Sequence, residues 1–284
     1  MRRNRSPGGQ RLGEDVIILA LTIAALLFIV FPFLWVVLTS IRPPGQILTD
    51  RFQLFTETVT LDHYRRLFAG RANFGRYIIN SIFVAGTATV ITVIVALFAG
   101  YGFTRFRFRG RYPLIGGFAF SQLFPWVVLI LPLYLVFWRA GLVNSYLGLI
   151  IGYVAITLPF CVYLLMGYIA TVPPGLDEAA IIDGCSTIQI IVRVIFPIAW
   201  PGIAATAVFA FVRSWNEFLF ALTLMTDESK KTVPVGLAGF FGQYTTDWGL
   251  IMSASVVATL PTLVFFVFMQ KRLVSGLAAG AVKQ

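Results

Sequence analysis

Four residues near the middle of the second half of the chain combine charge, amide and indole. They are Arg213, Trp215, Asn216 and Glu217, the last three inside the stretch SWNEF. An amide and a carboxylate bond hydroxyl groups, and an indole stacks on an apolar ring face. They sit in the run Val194–Met225, which carries no other charge. Charge in an apolar run is costly, so both ionised side chains should face the interior of a bundle or a water-filled cavity. Arg213 and Glu217 are four residues apart, a spacing that allows an ion pair along one helix face. Two roles fit: a polar border to a solute path, or a structural pair that orients a helix.

A second constellation precedes it. Glu178 to Gly202 reads EAAIIDGCSTIQIIVRVIFPIAWPG, polar at its start between two greasy segments. Pro173 and Pro174 stop the preceding helix. Asp177 can cap a short new helix, with Glu178 and Asp183 near its positive end. Gly184 then ends that helix through a left-handed backbone. Ser186 or Thr187 can cap a second helix. Ile188, Ile191, Val192 and Ile195 would form its apolar face. Pro197 and Pro201 lead onward. The product is a helix–glycine–helix projection, which serves equally as a docking element or as an amphipathic linker.

The elements that position these residues follow from composition. Of 284 residues, 58% are hydrophobic and 12% charged. So much apolar surface makes a bilayer the expected solvent. A spanning helix needs about 20 apolar residues. Six runs meet that length, predicting an all-α integral membrane protein with spans at about 16–38, 78–103, 113–138, 146–168, 203–225 and 249–270. The first follows Arg2, Arg3 and Arg5 like a signal core, but it is long and lacks a clear small-x-small cleavage site, so a retained span is expected. Residues 1–284 form one membrane domain without an internal repeat. Pro32, Pro125, Pro132, Pro159, Pro197 and Pro261 lie in or beside the spans, where neighbouring helices can repair the backbone bonding.

Charge orients the bundle. The net charge of +10 is unevenly spread: arginines and lysines stand at Arg2, Arg3, Arg5 and Arg11, in the loop RFRFRGR (Arg105 to Arg111), at Arg193 and at Lys271, Arg272 and Lys283. The loop Thr39 to Arg76 also has several arginines, but it carries Asp50, Glu57 and Asp62 as well and is long enough for the charge rule to weaken. Short arginine-rich loops stay on the cytoplasmic side, which puts both termini and the Glu178 projection inside. RFRFRGR is sufficiently explained as a topology anchor. The same reading removes any need for a nucleic-acid partner. Cys161 and Cys185 are isolated, and His63 has no companion ligand, so neither a disulfide framework nor a metal site is expected. No catalytic group is expected either: an intramembrane enzyme needs clustered Asp, His or metal ligands within its spans.

The projection resembles the EAA loop of ABC importer membrane subunits: E-A-A, three residues, G, nine residues, I-x-L-P. Glu178, Ala179, Ala180 and Gly184 match outright, Val194 and Phe196 replace Ile and Leu, and Pro197 closes the pattern. TLDHYRRLF (Thr60 to Phe68), NSI (Asn80 to Ile82), FRGR (Phe108 to Arg111), SWNEF (Ser214 to Phe218) and the tail KRLVSGLAAGAVKQ look like the carbohydrate-uptake, MalG-like branch. The resemblance implies a permease in a bacterial or archaeal cytoplasmic membrane. It works with a sister permease, a pair of ATPase subunits that hold ATP and Mg, and an extracytoplasmic sugar-binding protein. Asp177, Glu178, Ala179, Ala180, Asp183, Gly184 and Pro197 then belong to the ATPase-coupling loop. Gly276, Gly280 and Lys283 belong to a tail at the ATPase interface. Gly239, Phe240, Phe241, Gly242, Gln243 and Tyr244 belong to a loop facing the binding protein. Arg213, Trp215, Asn216 and Glu217 become candidates for the path of a di- or oligosaccharide.

The chain carries no G-x-x-x-x-G-K-[ST] stretch, so energy must come from a partner or from a gradient. A gradient-driven carrier of small polar solutes would want an internal repeat and midplane carboxylates. A channel would need no docking projection.

Overall fold

The computed structural model describes the backbone of residues 8–48, 58–69, 73–242 and 246–281, and the side chains among them from 14 to 270. Regular structure among the described residues is helical apart from an isolated antiparallel bridge between Phe241 and Thr246. The helices are α1 (Gly8–Ser40), α2 (Asp62–Ala69), α3 (Phe74–Arg105), α4 (Arg111–Ser121), α5 (Trp126–Arg139), α6 (Tyr146–Ala170) and α7 (Gly175–Ile182). They continue with α8 (Thr187–Ile190), α9 (Phe196–Ile198), α10 (Trp200–Trp215), α11 (Leu219–Leu224), α12 (Val233–Ala238) and α13 (Trp248–Ala281).

Among the described residues, four helices are long and apolar enough to cross a membrane by themselves: Glu14–Ser40, Phe74–Arg105, Tyr146–Ala170 and Trp248–Gln270. Two further spans arise only if bent pairs count as one. Arg111–Ser121 and Trp126–Arg139 meet at 105°, and Thr187–Ile198 and Trp200–Trp215 at 85°. Prolines explain both corners. Pro125 directly precedes α5, and Pro197 and Pro201 flank the second bend. Proline lacks the N–H that would continue the ladder and disfavours a helical residue before it.

The chain divides into two compact units. The first comprises Met1–Ala69 and Phe241–Val256. Here the fully buried His63 bonds the Arg42 carbonyl through Nε2 at 2.8 Å, and Ser40 Oγ lies 2.7 Å from the Tyr64 hydroxyl. A Cβ on Gly249 would come within 2.1 Å of the His63 ring, so the imidazole packs directly on backbone. Asp247 pairs with Arg66. Burial pushes its carboxyl up, but the Leu250 N–H and the Arg66 guanidinium outweigh that and hold it below its ordinary value.

The second unit, Gly70–Phe240 with Val257–Gln284, holds α3, α6 and α10 side by side. Gly100 lets α3 approach α6: a Cβ there would lie 3.2 Å from the Met166 backbone nitrogen. Small residues at such crossings are what bring helices together in lipid. The Thr92 and Thr157 hydroxyls bond across the same contact at 3.0 Å. Leu97, Leu165, Ile169, Ile195 and Ile203 fill one end of this core, and Val84, Leu149, Tyr153, Phe220 and Leu224 the other.

The region read as a span over 203–225 is not one helix. α10 stops at Trp215 and α11 begins at Leu219. The turn is closed by Asn216 N–H to the Val212 carbonyl at 3.1 Å and Glu217 N–H to the Ser214 carbonyl at 3.3 Å.

Candidate functional site

The Glu178 projection has the expected shape with a different internal wiring. Pro174 occupies the N-cap of α7, so Asp177 does not cap it as anticipated. Asp177 instead turns inward, buried, and pairs with Arg105 at the end of α3. Ala180 faces the same way. Glu178, Ala179, Ile181, Ile182 and Asp183 are exposed, Ile182 at 85%. Gly184 has φ +80°, as its left-handed role requires. The Gly184 N–H reaches the Ile181 carbonyl at 3.0 Å and the Cys185 N–H the Ala180 carbonyl at 2.9 Å. These are the paired bonds of a glycine-terminated helix end.

Ser186, one of two expected caps, starts α8 in a reciprocal box with Gln189: Ser186 Oγ accepts the Gln189 N–H at 3.4 Å, and Gln189 Oε1 accepts the Ser186 N–H at 2.8 Å. The apolar face that follows differs from the expected one. Ile188 and Val192 are exposed, whereas Ile190, Ile191 and Ile195 are buried. At about 100° per residue Ile190, Ile191 and Ile195 share one side of the helix and Ile188 and Val192 the next, so the inward side is rotated from the expected one, in a stretch that includes a π turn over Ile191–Ile195. Pro197 lies exposed in α9, at the corner into α10.

Arg213, Asn216 and Glu217 line one cavity of about 360 Å³ together with Trp126, Ile156 and Phe218. Trp215 is not part of it. Its indole is buried, stacks on Phe211 with centroids 5.7 Å apart, and donates to the Ala258 carbonyl at 3.2 Å. The expected Arg213–Glu217 pair on one helix face is replaced, since α10 ends between them. Glu217 accepts the N–H of Phe220 at 2.9 Å and of Ala221 at 3.1 Å, satisfying donors that the start of α11 would otherwise leave bare. The Asn216 amide donates to the Val212 carbonyl at 2.8 Å, and its oxygen remains an acceptor for the cavity.

Sequence reasoning passed over a polar cluster that fixes the loop between α11 and α12. Asn144, itself at φ 57°, accepts the N–H groups of Thr226 and Asp227 at 2.8 and 3.0 Å. Asn80 donates to the Ser229 and Lys231 carbonyls at 3.0 and 2.9 Å, and accepts from the Tyr146 hydroxyl at 2.8 Å. Tyr77 donates to Glu228. Hydrogen bonds from Lys231 and then Tyr77 hold the Glu228 carboxyl below its ordinary value. The motif NSI, with Asn80 and Ser81, was the available signal: Ser81 Oγ also accepts the Val233 N–H at 2.8 Å.

Gly239 and Phe240 follow α12, with Phe240 tilted on Phe74 at 5.9 Å. Phe241 is exposed and meets Trp248 edge-on at 6.4 Å, next to Gly242. Gln243 and Tyr244 lie outside the described residues. So does Lys283, whereas Gly276 and Gly280 continue the backbone of α13. Among the described residues, no group of three or more His, Cys, Asp or Glu is placed to hold a metal.

Regular structure that is almost wholly helical among the described residues, with four to six candidate spans there, two of them sharply bent, defines a multi-pass membrane protein. Residues 92–278 match the family described as binding-protein-dependent transport system inner membrane component, and the chain belongs to that family. It is 36% identical over 262 residues to the diacetylchitobiose uptake system permease protein DasC of Streptomyces coelicolor, covering 92% of this chain and 95% of that protein. It is 38% identical over 256 residues to the trehalose/maltose transport system permease protein MalG of Thermococcus litoralis, covering 89% and 91%. The same fold occurs in the crystal structure of a bacterial ABC transporter that imports the acidic polysaccharide alginate, with TM-score 0.80, 22% identity, and coverage of 95% of this chain and 99% of that one.

Proposed function

We propose that the chain is one of two permease subunits in an ATP-driven importer that takes a di- or oligosaccharide from an extracytoplasmic binding protein. Its relatives DasC and MalG are named for uptake of diacetylchitobiose and of trehalose or maltose, which supports a carbohydrate as cargo. On this reading the two bent pairs each count as one span, giving six, with both termini and the α7 projection in the cytoplasm. The arginines of RFRFRGR support that orientation.

The observation that carries the proposal is α7 itself. Its Asp177 and Ala180 face inward, while Glu178, Ala179, Ile181 and Ile182 are presented outward and the helix is ended cleanly by Gly184. Such a short apolar-tipped element suits a cleft on a partner, here an ATPase subunit that holds ATP and Mg. Closure of the ATPase pair would push α7 and switch the spans between inward and outward access. The ligand must favour one of those states for transport to be coupled. The end of α13, with Gly276 and Gly280, and the tail that holds Lys283 would reach the ATPase interface, and the segment Gly239 to Tyr244 would meet the binding protein.

Arg213 and Asn216 in their shared cavity are the candidate border of the sugar path, and Glu217, which also lines it, holds the turn that presents them. The test is co-expression with a sister permease, ATPase and binding protein, followed by reconstitution in proteoliposomes. Saccharide-stimulated ATP hydrolysis with uptake that ceases without ATP is the expected result. Uptake driven by an ion gradient in the absence of ATPase subunits would overturn the proposal.

A further inference from the structure

One arginine of RFRFRGR behaves unlike its neighbours. Arg107 and Arg109 are exposed, as an anchor at a membrane surface should be, and Arg111 is half-buried over the Tyr112 ring, but Arg105 is drawn inward to a carboxylate. Its guanidinium pairs with Asp177, the two side chains being only 11% and 9% exposed. Its Nη2 also donates to the Val172 carbonyl at 2.8 Å, in the link between α6 and α7. Arg105 therefore joins three segments: the end of α3, the α6–α7 link and α7. As the last residue of α3 it also places a cation where a helix C-terminus favours one.

α7 has eight residues and turns most of them outward. So short a helix does not hold itself in place and depends on tertiary anchors. Ala180 supplies a small apolar contact. The ion pair supplies a directional one. Buried pairs add little net stability because desolvation consumes their attraction, and in some proteins their use is to fix one arrangement among several.

We infer that the Arg105–Asp177 pair is the joint that makes α3 follow α7, so that Asp177 is a positioning residue acting through Arg105 and not a contact to the ATPase. The inference rests on the importer function proposed above. It separates two acids adjacent in sequence: Glu178 faces the partner, and Asp177 faces this subunit's own span.

The test uses the whole reconstituted complex and compares Asp177→Asn, Arg105→Lys, Arg105→Asp and the double exchange Arg105→Asp with Asp177→Arg. Asp177→Asn should retain its ATPase subunits at wild-type stoichiometry and its basal hydrolysis. Ligand stimulation and sugar moved per ATP should fall by about 2- to 30-fold, the range expected for a broken coupling contact. Arg105→Lys keeps the charge but loses the planar fork and should lie between it and the wild type. The double exchange should recover coupling that Arg105→Asp alone loses. Unchanged stimulation in Asp177→Asn overturns the inference, as does a double exchange no better than Arg105→Asp. Loss of ATPase subunits from Asp177→Asn, with Arg105→Lys unaffected, would make Asp177 a direct contact. A wild-type complex with no ligand stimulation would instead overturn the importer function, so the two failures are distinguishable.

Discussion

The Glu217 carboxylate accepts the backbone N–H groups of Phe220 and Ala221, one on each oxygen, at 2.9 and 3.1 Å. This contact is what allows the chain to stop α10 and start α11 without leaving buried donors bare. Glu217→Gln keeps the shape but has only one acceptor oxygen, so one donor loses its partner. A buried unsatisfied donor costs about 1–3 kcal/mol. The variant should melt earlier in detergent and keep the apparent uptake affinity of the wild type. Asn216→Ala should do the opposite, because its amide is exposed in the cavity and among the described residues bonds only the Val212 carbonyl. An unchanged melting temperature together with a shifted affinity in Glu217→Gln would show that the carboxylate meets the sugar.

At Gly184 the obstacle to substitution is the backbone alone. The residue has φ +80°, and a Cβ added there would meet nothing within 4 Å. Gly184→Val therefore meets no clash but must force a β-branched residue into a left-handed conformation, at about 1–2 kcal/mol. Gly184→Asn should be much milder, since asparagine tolerates that region. The complex should assemble in both cases, and ligand-stimulated hydrolysis should drop in the valine variant. Equal coupling in the two would mean that the end of α7 does not need this geometry.

Gly184 and Ser186 were legible in the sequence because their requirements are local: a left-handed turn and a cap. The apolar runs were legible for the same reason, since span length depends only on composition. The break at Asn216–Phe218 was not, because no glycine or proline marks it. It is made by Glu217 capturing N–H groups and by Phe220 lying over Gly152, 2.8 Å from where a Cβ would sit. Arg105 looked like one more topology charge because its partner Asp177 lies far along the chain, beyond α4, α5 and α6. The buried face of the segment after Ser186 was not legible because two overlapping apolar faces fit the same period, and only packing against the core selects Ile190, Ile191 and Ile195 over Ile188 and Val192.

Gly202 marks the contact between α10 and α6. A Cβ there would lie 2.2 Å from the Tyr168 ring, too close for any small adjustment. Gly202→Ala should overpack the contact and cost about 1–3 kcal/mol. Gly86→Ala is the control, since Gly86 lies inside α3 with nothing within 4 Å. The two purified variants should differ clearly in melting temperature, with only Gly202→Ala below the wild type. Equal melting temperatures would mean that α10 can shift on α6 at no cost.

The loop between α11 and α12 should respond to acid through Glu228. Hydrogen bonds from Lys231 and Tyr77 favour its charged form, so its folded value lies below the ordinary 4.5. A depressed folded value means that the unfolded chain binds more protons in the interval between the two. The stabilisation is therefore complete above the ordinary carboxylate range and is lost as pH falls through the folded value. Glu228 is largely exposed, its side chain at 65%, so solvent screening limits the effect to under about 1 kcal/mol. Glu228→Gln removes the titration. Its melting temperature should sit slightly below the wild type near neutral pH, and the gap should close as the pH falls from the ordinary carboxylate value of 4.5 through the lower folded value. Tyr77→Phe should narrow the neutral-pH gap from the other side, because it removes one of the two bonds that favour the charged form. A gap that stays constant from neutral to acid pH would show that the loop is held by Asn80 and Asn144 alone.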